Sequence, residues 1–487
     1  MRHVEVRRGA YVDSVTLMQV SRRVQGLDGV HAALVAMATE LNLDLARGMG
    51  FEVPADVSPN EMLVAVEAEE TAVEAARGEV DAALAESSRP APTSFGSAPP
   101  PATVRAAARR SGATVALIST PGQHAFADAI DAVDAGLTTM VFSDNVPLAQ
   151  EVALKTYAER AGVLVMGPDC GTAVVGGVGL GFANVVRPGP VGIVAASGTG
   201  AQHLMALLDG AGVGVSHCLG VGGRDLSAEV GGLSTLRALD LLDRDEATEL
   251  VVVVSKPPAP EVAAQVRARA EALATPVVFC LLGAGQPDLT ATAATVVEAA
   301  GATWSEPEQR PGAVPHGRPG GFLRGLFAGG TLCDEAMLLA SEALGPIRSN
   351  IPLDPSLTLG DDLASVGHTM LDLGDDRLTL GRPHPMIDGS IRVERLRAEV
   401  TDPTTGVLLL DVVLGLGAAE DPACELASAI SDATSAGVPV VVSLVGTRDD
   451  PQDVTRQSRL IHDAGAAVHR SNAAATRAAL ALLEDAG

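Results

Sequence analysis

Aromatic residues are scarce in this chain of 487 residues: 2% of the total, with one Trp, two Tyr and eight Phe. So few rings leave the core to Ala, Val and Leu, the filling of buried parallel sheets flanked by Ala-rich helices. Lysine is scarcer still. Lys155 and Lys256 are the only two among 34 basic residues; the others are arginine. A GC-rich genome accounts for that bias, and it makes each remaining lysine worth inspecting. The five cysteines, Cys170, Cys218, Cys280, Cys333 and Cys424, are far apart and form no CxxC pair. This argues against a disulfide frame or a structural zinc site and fits a reducing, cytoplasmic compartment. No run of about 18 uncharged apolar residues occurs, so no membrane span is expected. The start, MRHVEVRRGA, is basic but no apolar stretch follows, so it is not read as a secretory signal.

What is present is apolar and acidic. The hydrophobic fraction is 47%, which excludes a mainly disordered chain. The length calls for about three domains. The net charge of −26 argues against nucleic acid and anionic membranes as partners.

Residues 1–86 alternate strand-like and helical segments: VEVRRGAYVD, DSVTLMQVSRRVQGL, GVHAALVAM, ELNLDLARGMGF, MLVAVEAE and ETAVEAARGEVDAALAE. This predicts a small α/β domain. Residues 87–102 are rich in Pro and Ser and read as a linker. Then come apolar runs ending in Gly, Ser, Pro or Asp: ATVALIST, TTMVFSD, VLVMGPD, GPVGIVAASG, VGVSHCLGVG, ELVVVVSKP and PVVFCLLGAG. Helical stretches lie between most of them. The pattern is that of open parallel sheets, which place their sites at the carboxyl ends of strands. A second Pro/Gly-rich break covers 303–321. Residues 322–487 repeat the α/β theme through HTMLDLGDD, GVLLLDVVLGLG, PVVVSLVGT and AAVHRSN.

The sharpest local signal is a buried strand running into Ser197-Gly198-Thr199-Gly200 and then a helix. Exposed N–H groups and the helix dipole there make an anion site. The plain alternative is an ordinary tight turn. GxGxxG and the Walker sequence are both absent there. In MGPDCGTA, Asp169 and Cys170 sit on a loop at a strand end. A thiolate nucleophile would need a base or cation nearby, and none is local. Lys256 follows a four-valine strand, where a cation could hold a phosphate or carboxylate; a solvated loop lysine is the alternative. FAGGTLCDEA repeats glycines before a helix, at Gly329, Gly330 and Thr331. DVVLGLGAAEDPA offers Gly415 and Gly417. GRPHPMID concentrates Arg382, His384 and Asp388 between prolines that fix the loop. Arg382 could fork onto a carboxylate and His384 could move a proton, or the segment is a rigid turn. The remaining histidines show no metal spacing.

From about 113 to 285 the chain resembles the α subunit of succinyl-CoA synthetase, through AIDAVDAG, MGPDCG, RPGPVGIVAASGTG, GVGVSHCLGVGG and LDLLDRDEATELVVVVSK. From about 325 to 485 it resembles the carboxyl-terminal domain of the β subunit, through FAGGTLCDEA, MLDLGDD, LLLDVVLGLG and VVVSLVGT. With EVRRGAYVDSVTLMQVSRRV and GRPHPMID added, it resembles the acyl-CoA synthetase-like FdrA family over nearly its whole length. Some members are similar to subunits of an oxamate carbamoyltransferase of ureide breakdown.

The resemblance implies a Rossmann-like domain at 103–187 and two flavodoxin-like domains at 188–302 and 322–487. It also implies that phosphate loops from the two halves face one another, with Ser197–Thr199 opposite Gly415–Gly417. Departures matter as well. The synthetase carries its phosphoryl group on a histidine after the strand matching PVVFCLLGAG; here the segment reads LLGAGQPDLT, with none. A supporting carboxylate is replaced by Lys256. The usual CoA motif has no counterpart, so no cofactor is assigned, although the resemblance admits CoA.

The implied activity is a subunit that transfers a carbamoyl or acyl group to or from phosphate, for example from oxalurate to give oxamate and carbamoyl phosphate. In that reading Lys256, Arg382 and His384 are catalytic, and other protein subunits or further copies of the chain are its partners. Two alternatives are an NDP-forming acyl-CoA synthetase subunit and a non-catalytic scaffold subunit.

Overall fold

The computed structural model describes residues 1–8, 12, 14–54, 57–58, 61–87, 101–314, 316–379 and 382–484. The expected linker at 87–102 lies almost wholly outside them. Two compact units divide the chain, 1–100 together with 380–383, and 101–379 together with 384–487.

The first unit has the expected α/β build. Its strands are β1 (Arg2–Arg7), β2 (Val30–Met37) and β3 (Met62–Ala68), in the antiparallel order β1-β3-β2. Its helices are α1 (Ser14–Gln25), α2 (Glu40–Gly48) and α3 (Val73–Ser87). Strand side chains point alternately to the two faces. Val64 and Val66 therefore pack with Leu17, Val20 and Val24 of α1 and Ala76 and Val80 of α3. Leu63 and Ala65 pack on the other face with Leu43 and Ala46 of α2.

The second unit is α/β with three sheets. The smallest is parallel, β4 (Val115–Ile118), β5 (Thr138–Val141) and β6 (Val165–Met166), in that order. The next sheet contains β7 (Thr172–Val175), β8 (Val178–Gly181), β9 (Val191–Ala196), β10 (Val215–Gly220), β11 (Leu250–Ser255) and β12 (Val277–Leu281). Its order is β12-β11-β9-β10-β7-β8. The last contains β13 (Gln309–Arg310), β14 (Phe322–Phe327), β15 (Thr369–Asp372), β16 (Thr405–Val413), β17 (Val440–Val445) and β18 (Ala467–His469), ordered β13-β18-β17-β16-β14-β15.

The helices of this unit are α4 (Val104–Ser111), α5 (Gly122–Asp134), α6 (Leu148–Ala161), α7 (Gly198–Gly210), α8 (Leu233–Leu242), α9 (Pro260–Glu271) and α10 (Leu289–Ala299). They continue with α11 (Gly330–Leu344), α12 (Asp376–Thr379), α13 (Ser390–Thr401), α14 (Pro422–Ser435), α15 (Val454–Asp463) and α16 (Asn472–Glu484). Strands β9, β11, β16 and β17 are buried throughout, as their mostly Val, Leu, Ile and Ala sequences require. Residues of α7, α10, α11 and α16 share one core with both larger sheets.

Two features depart from the expected boundaries. The segment 172–181 folds as a hairpin and joins the β9–β12 sheet, antiparallel to β10, rather than the sheet of β4–β6. Gly176 and Gly177 both have positive φ, 57° and 81°, the pair a tight two-residue hairpin needs. Inside the Pro/Gly-rich break at 303–321, Gln309 and Arg310 pair antiparallel with β18.

Strand order positions the site. In both larger sheets the parallel strands run second-first-third-fourth in chain order: β10-β9-β11-β12, and β15-β14-β16-β17 continuing to β18. The direction of winding reverses at the first strand, and ligand crevices form beyond the carboxyl end of such a switch point. Ser197 directly follows β9, and Ala328-Gly329 directly follows β14.

Candidate functional site

The two switch points meet. Ser197 is the N-cap of α7, and its Oγ accepts the Gly200 N–H at 3.0 Å. Gly329 is the N-cap of α11, followed by Gly330 and Thr331. Ser197 Oγ and Thr331 Oγ1 share a hydrogen bond of 2.7 Å, so the first turns of the two helices touch. Glycine makes the approach feasible. A Cβ on Gly329 would stand 2.8 Å from Thr199 side-chain atoms, and one on Gly200 would stand 3.0 Å from Thr331 Cγ2. First-turn N–H groups have no acceptor within their own helix. Two such turns in contact, each at the positive end of a helix dipole, make a seat for an oxyanion.

The loop that shares a hydrogen bond with Ser197 is Gly329–Thr331; the Gly415–Gly417 loop, expected opposite Ser197–Thr199, touches α7 at its start through Gln202, whose Nε2 donates to Leu414 O at 3.3 Å. In the Gly415 loop, Leu416 N–H donates to Ala183 O at 2.8 Å. Gly415 N–H donates to Gln452 Oε1 at 3.1 Å, and Gly417 stands against the Phe182 ring. At least two of its donors are therefore already used.

Lys256 lies beside the seat, half-buried, with Nζ 3.3 Å from Asp334 Oδ2. A Cβ on Gly330 would be 3.0 Å from that Nζ and 2.6 Å from Asp372 Oδ2. Burial works to lower the lysine pKa, but Asp334 and Asp372 outweigh it and hold it above the ordinary value. The cation expected to hold a phosphate or carboxylate is thus already paired with a carboxylate of the chain itself. Burial pushes the Asp372 carboxyl up to about 7, against the pull of Lys256. Asp169 keeps contact with solvent, yet desolvation in its crevice, with Asp376 and Asp144 close by, pushes it to about 7.

Sequence reading missed Asp334, Asp372 and Asp411. Asp411 is fully buried in β16, accepts the N–H groups of Ala328 and Gly329 at 2.8 and 2.9 Å, and pairs with Arg392 at 3.1 Å. It pins the loop before α11. A lone acid inside an apolar strand, LLLDVV or TMLD, was the available signal.

Other expected residues stand apart. Cys170 is buried, burial pushes its thiol up to about 12, and Sγ faces Thr172 O at 3.5 Å; it is corrected to a packing residue. His384 Nδ1 accepts the Met386 N–H at 3.2 Å, and burial lowers its pKa to about 4. It is a neutral ring with its proton on Nε2, not a group that ionises near neutrality. Asp388 Oδ1 accepts the Ser390 N–H at 2.9 Å and shapes the turn into α13. Arg382 is exposed and falls with the first unit, whereas His384 falls with the second.

The chain is 38% identical over 508 aligned positions to the uncharacterized protein YahF of Escherichia coli K12, covering 95% of each. The chain belongs to the family of YahF. Within it, residues 326–482 match the CoA-ligase family, and residues 1–99 match the family described as AllF, heavy metal-associated domain. The chain is also 29% identical to the α subunit 2 of an ADP-forming succinate–CoA ligase of Archaeoglobus fulgidus, over 31% of this chain and 53% of that one. To the α subunit of malate–CoA ligase of Methylorubrum extorquens it is 29% identical, over 38% of this chain and 64% of that one. It therefore spans about half to two thirds of those ligase subunits.

The description of residues 1–99 implies a heavy metal. Soft metals are held chiefly by thiolates, thioethers and imidazoles. These residues contain no cysteine, and His3 and His31 stand on β1 and β2, with β3 between them. Among the described residues no group of three or more His, Cys, Asp or Glu side chains could hold a metal ion. The residues do not fit such a metal, and no step is assigned to one.

Proposed function

We propose that this chain is an acyl-CoA-synthetase-like subunit that holds the phosphate of an acyl phosphate, or free phosphate, while the acyl group passes to or from a second substrate. The meeting of two helix N-termini at Ser197 and Thr331, beside Lys256, carries this reading. In the forward sense the acyl carbon bonds to the incoming nucleophile. Its bond to the bridging oxygen breaks, phosphate leaves with that oxygen and its electron pair, and the nucleophile's proton passes to phosphate or solvent. First-turn N–H groups stabilise the charge gathered on the leaving oxygens. The likeness to CoA-ligase subunits supports the thiol of CoA as nucleophile, and supports other protein subunits as partners.

A second reading has a carbamoyl group passing between oxalurate and phosphate, with oxamate and carbamoyl phosphate as products. The FdrA-like sequence favours it. A CoA-binding assay separates the two readings. Activity of the isolated chain compared with a reconstituted complex tests the scaffold alternative.

Gly198 offers a clean test of the seat. It is exposed, and a Cβ there meets only Thr172 Oγ1, at an ordinary 3.4 Å. Gly198→Leu should therefore fold, yet block the anion. Calorimetry should show phosphate binding weakened at least about tenfold, or ~1.4 kcal/mol. Equal affinity in the variant and parent removes the seat from this position.

A further inference from the structure

One carboxylate at this seat has one oxygen held by a backbone N–H and the other turned toward a helix end. Asp372 closes β15 and is buried. Its Oδ1 accepts the Gly374 N–H at 2.9 Å. Its Oδ2 instead faces the first turn of α11, 2.6 Å from where a Cβ on Gly330 would stand. Lys256 Nζ approaches the same point but pairs with Asp334, and Lys256 and Asp372 do not come within ion-pair distance.

The surrounding charge is unfavourable for a second carboxylate. Asp334 on α11 and Asp375 in the following turn both raise the cost of ionising Asp372. Lys256, from the segment after β11, is the one cation among its main influences. Cys333 on α11 and Asp411 on β16 are buried close by, and neither carries positive charge. The His384 ring, beside Gly374, is neutral. An anion added at this helix end meets a lysine already paired. An ionised Asp372 would repel it, whereas a protonated Oδ2 would donate a hydrogen bond to it. A buried carboxylic acid kept neutral so that it can donate is an established device for binding developing oxyanions.

We propose that Asp372 is a binding residue of the anion seat in its acid form: it donates its Oδ2 proton in a hydrogen bond to the bound oxyanion, so each anion that binds brings one proton with it. The inference rests on the phosphate-seat reading above and adds the protonation state of the occupied site. Burial already poises Asp372 to titrate near 7, and a bound anion moves it higher.

Sulfate is the probe, because it does not itself titrate near neutrality. Calorimetry on the full chain, in buffers of different ionisation enthalpy, should show uptake of close to one proton per sulfate between pH 7.5 and 8.5. The dissociation constant should rise roughly tenfold per pH unit there, the limit for one coupled proton. Asp372→Asn keeps a donor in place and should flatten that dependence, while Asp169→Asn should leave it. If the Asp372→Asn variant does not fold, proton uptake that persists in Asp169→Asn supports the inference, and uptake lost in Asp169→Asn overturns it. Sulfate binding that Gly198→Leu weakens, but that is pH-independent and takes up no proton, overturns the inference and leaves the phosphate seat standing. A dependence abolished by Asp169→Asn and not by Asp372→Asn also overturns it. Absence of sulfate binding at every pH overturns both.

Discussion

Gly330 and Gly198 look alike in sequence, each opening a helix after a strand, yet their surroundings differ. At Gly330 a methyl group would be 2.6 Å from Asp372 Oδ2; at Gly198 the nearest atom would be 3.4 Å away. Alanine is the better helix former by up to about 1 kcal/mol. Gly198→Ala should therefore stay within about 0.5 kcal/mol of the parent or gain slightly. Gly330→Ala should lose about 1–3 kcal/mol, the usual cost of overpacking. Denaturant unfolding of the pair checks this, and equal stabilities would mean that Asp372 yields freely.

The buried acids also give stability a pH dependence of definite sign. Burial raises Asp372 and Glu335 to about 7. Between the unfolded value near 4 and that folded value, the native state holds more protons than the unfolded one. Each such group favours folding fully below about 4, and its contribution fades as pH rises to about 7, at up to about 1.4 kcal/mol per pH unit. Surface carboxylates held low, such as Asp131, whose backbone bond from Arg105 leads its causes, act in the opposite sense and only below about 4. Unfolding free energy should thus be lower at pH 7.5 than at pH 5, by less in Asp372→Asn. A parent equally stable at both pH values would contradict this.

At the scale of elements, the contact of α7 with α11 rests on few groups. Thr331→Val keeps the shape and removes the hydroxyl that pairs with Ser197 Oγ. The expected loss is about 1 kcal/mol of stability, together with weaker phosphate binding, because the two first turns are no longer tied. Melting and calorimetry report the two effects separately; no change in either would make the 2.7 Å contact incidental. The sequence made each strand–glycine–helix unit legible, since turn chemistry is local. Which loops would face each other was not legible. That depends on where strand order reverses in two sheets, a non-local property, and it brought Thr331 onto Ser197. The hairpin at 172–181 carried its own signal in Gly176-Gly177, but its partner β10 lies about forty residues away. Asp372 and Asp411 were hidden because an acid in an apolar run reads as a strand end until its partners are known.

At the scale of the whole molecule, the histidine question reaches furthest. The segment after β12 reads LLGAGQPDLT, and the buried His203, lowered to about 3 by burial, contacts Asn472 rather than the seat. Incubation with labelled ATP or acyl phosphate should leave no acid-labile label on a histidine of this chain. Such a label, mapped to any of its ten histidines, would refute transfer at the acyl carbon as the complete reaction.

Both helix ends of the seat belong to one polypeptide, Ser197 from the β9 sheet and Thr331 from the β14 sheet. Their encounter is therefore unimolecular and carries no concentration term. Dilution cannot part them, and no excess of a second chain is needed to bring them together. Anion affinity should be the same at nanomolar as at micromolar protein, and any dependence of turnover on protein concentration would report the docking of other subunits rather than assembly of the seat.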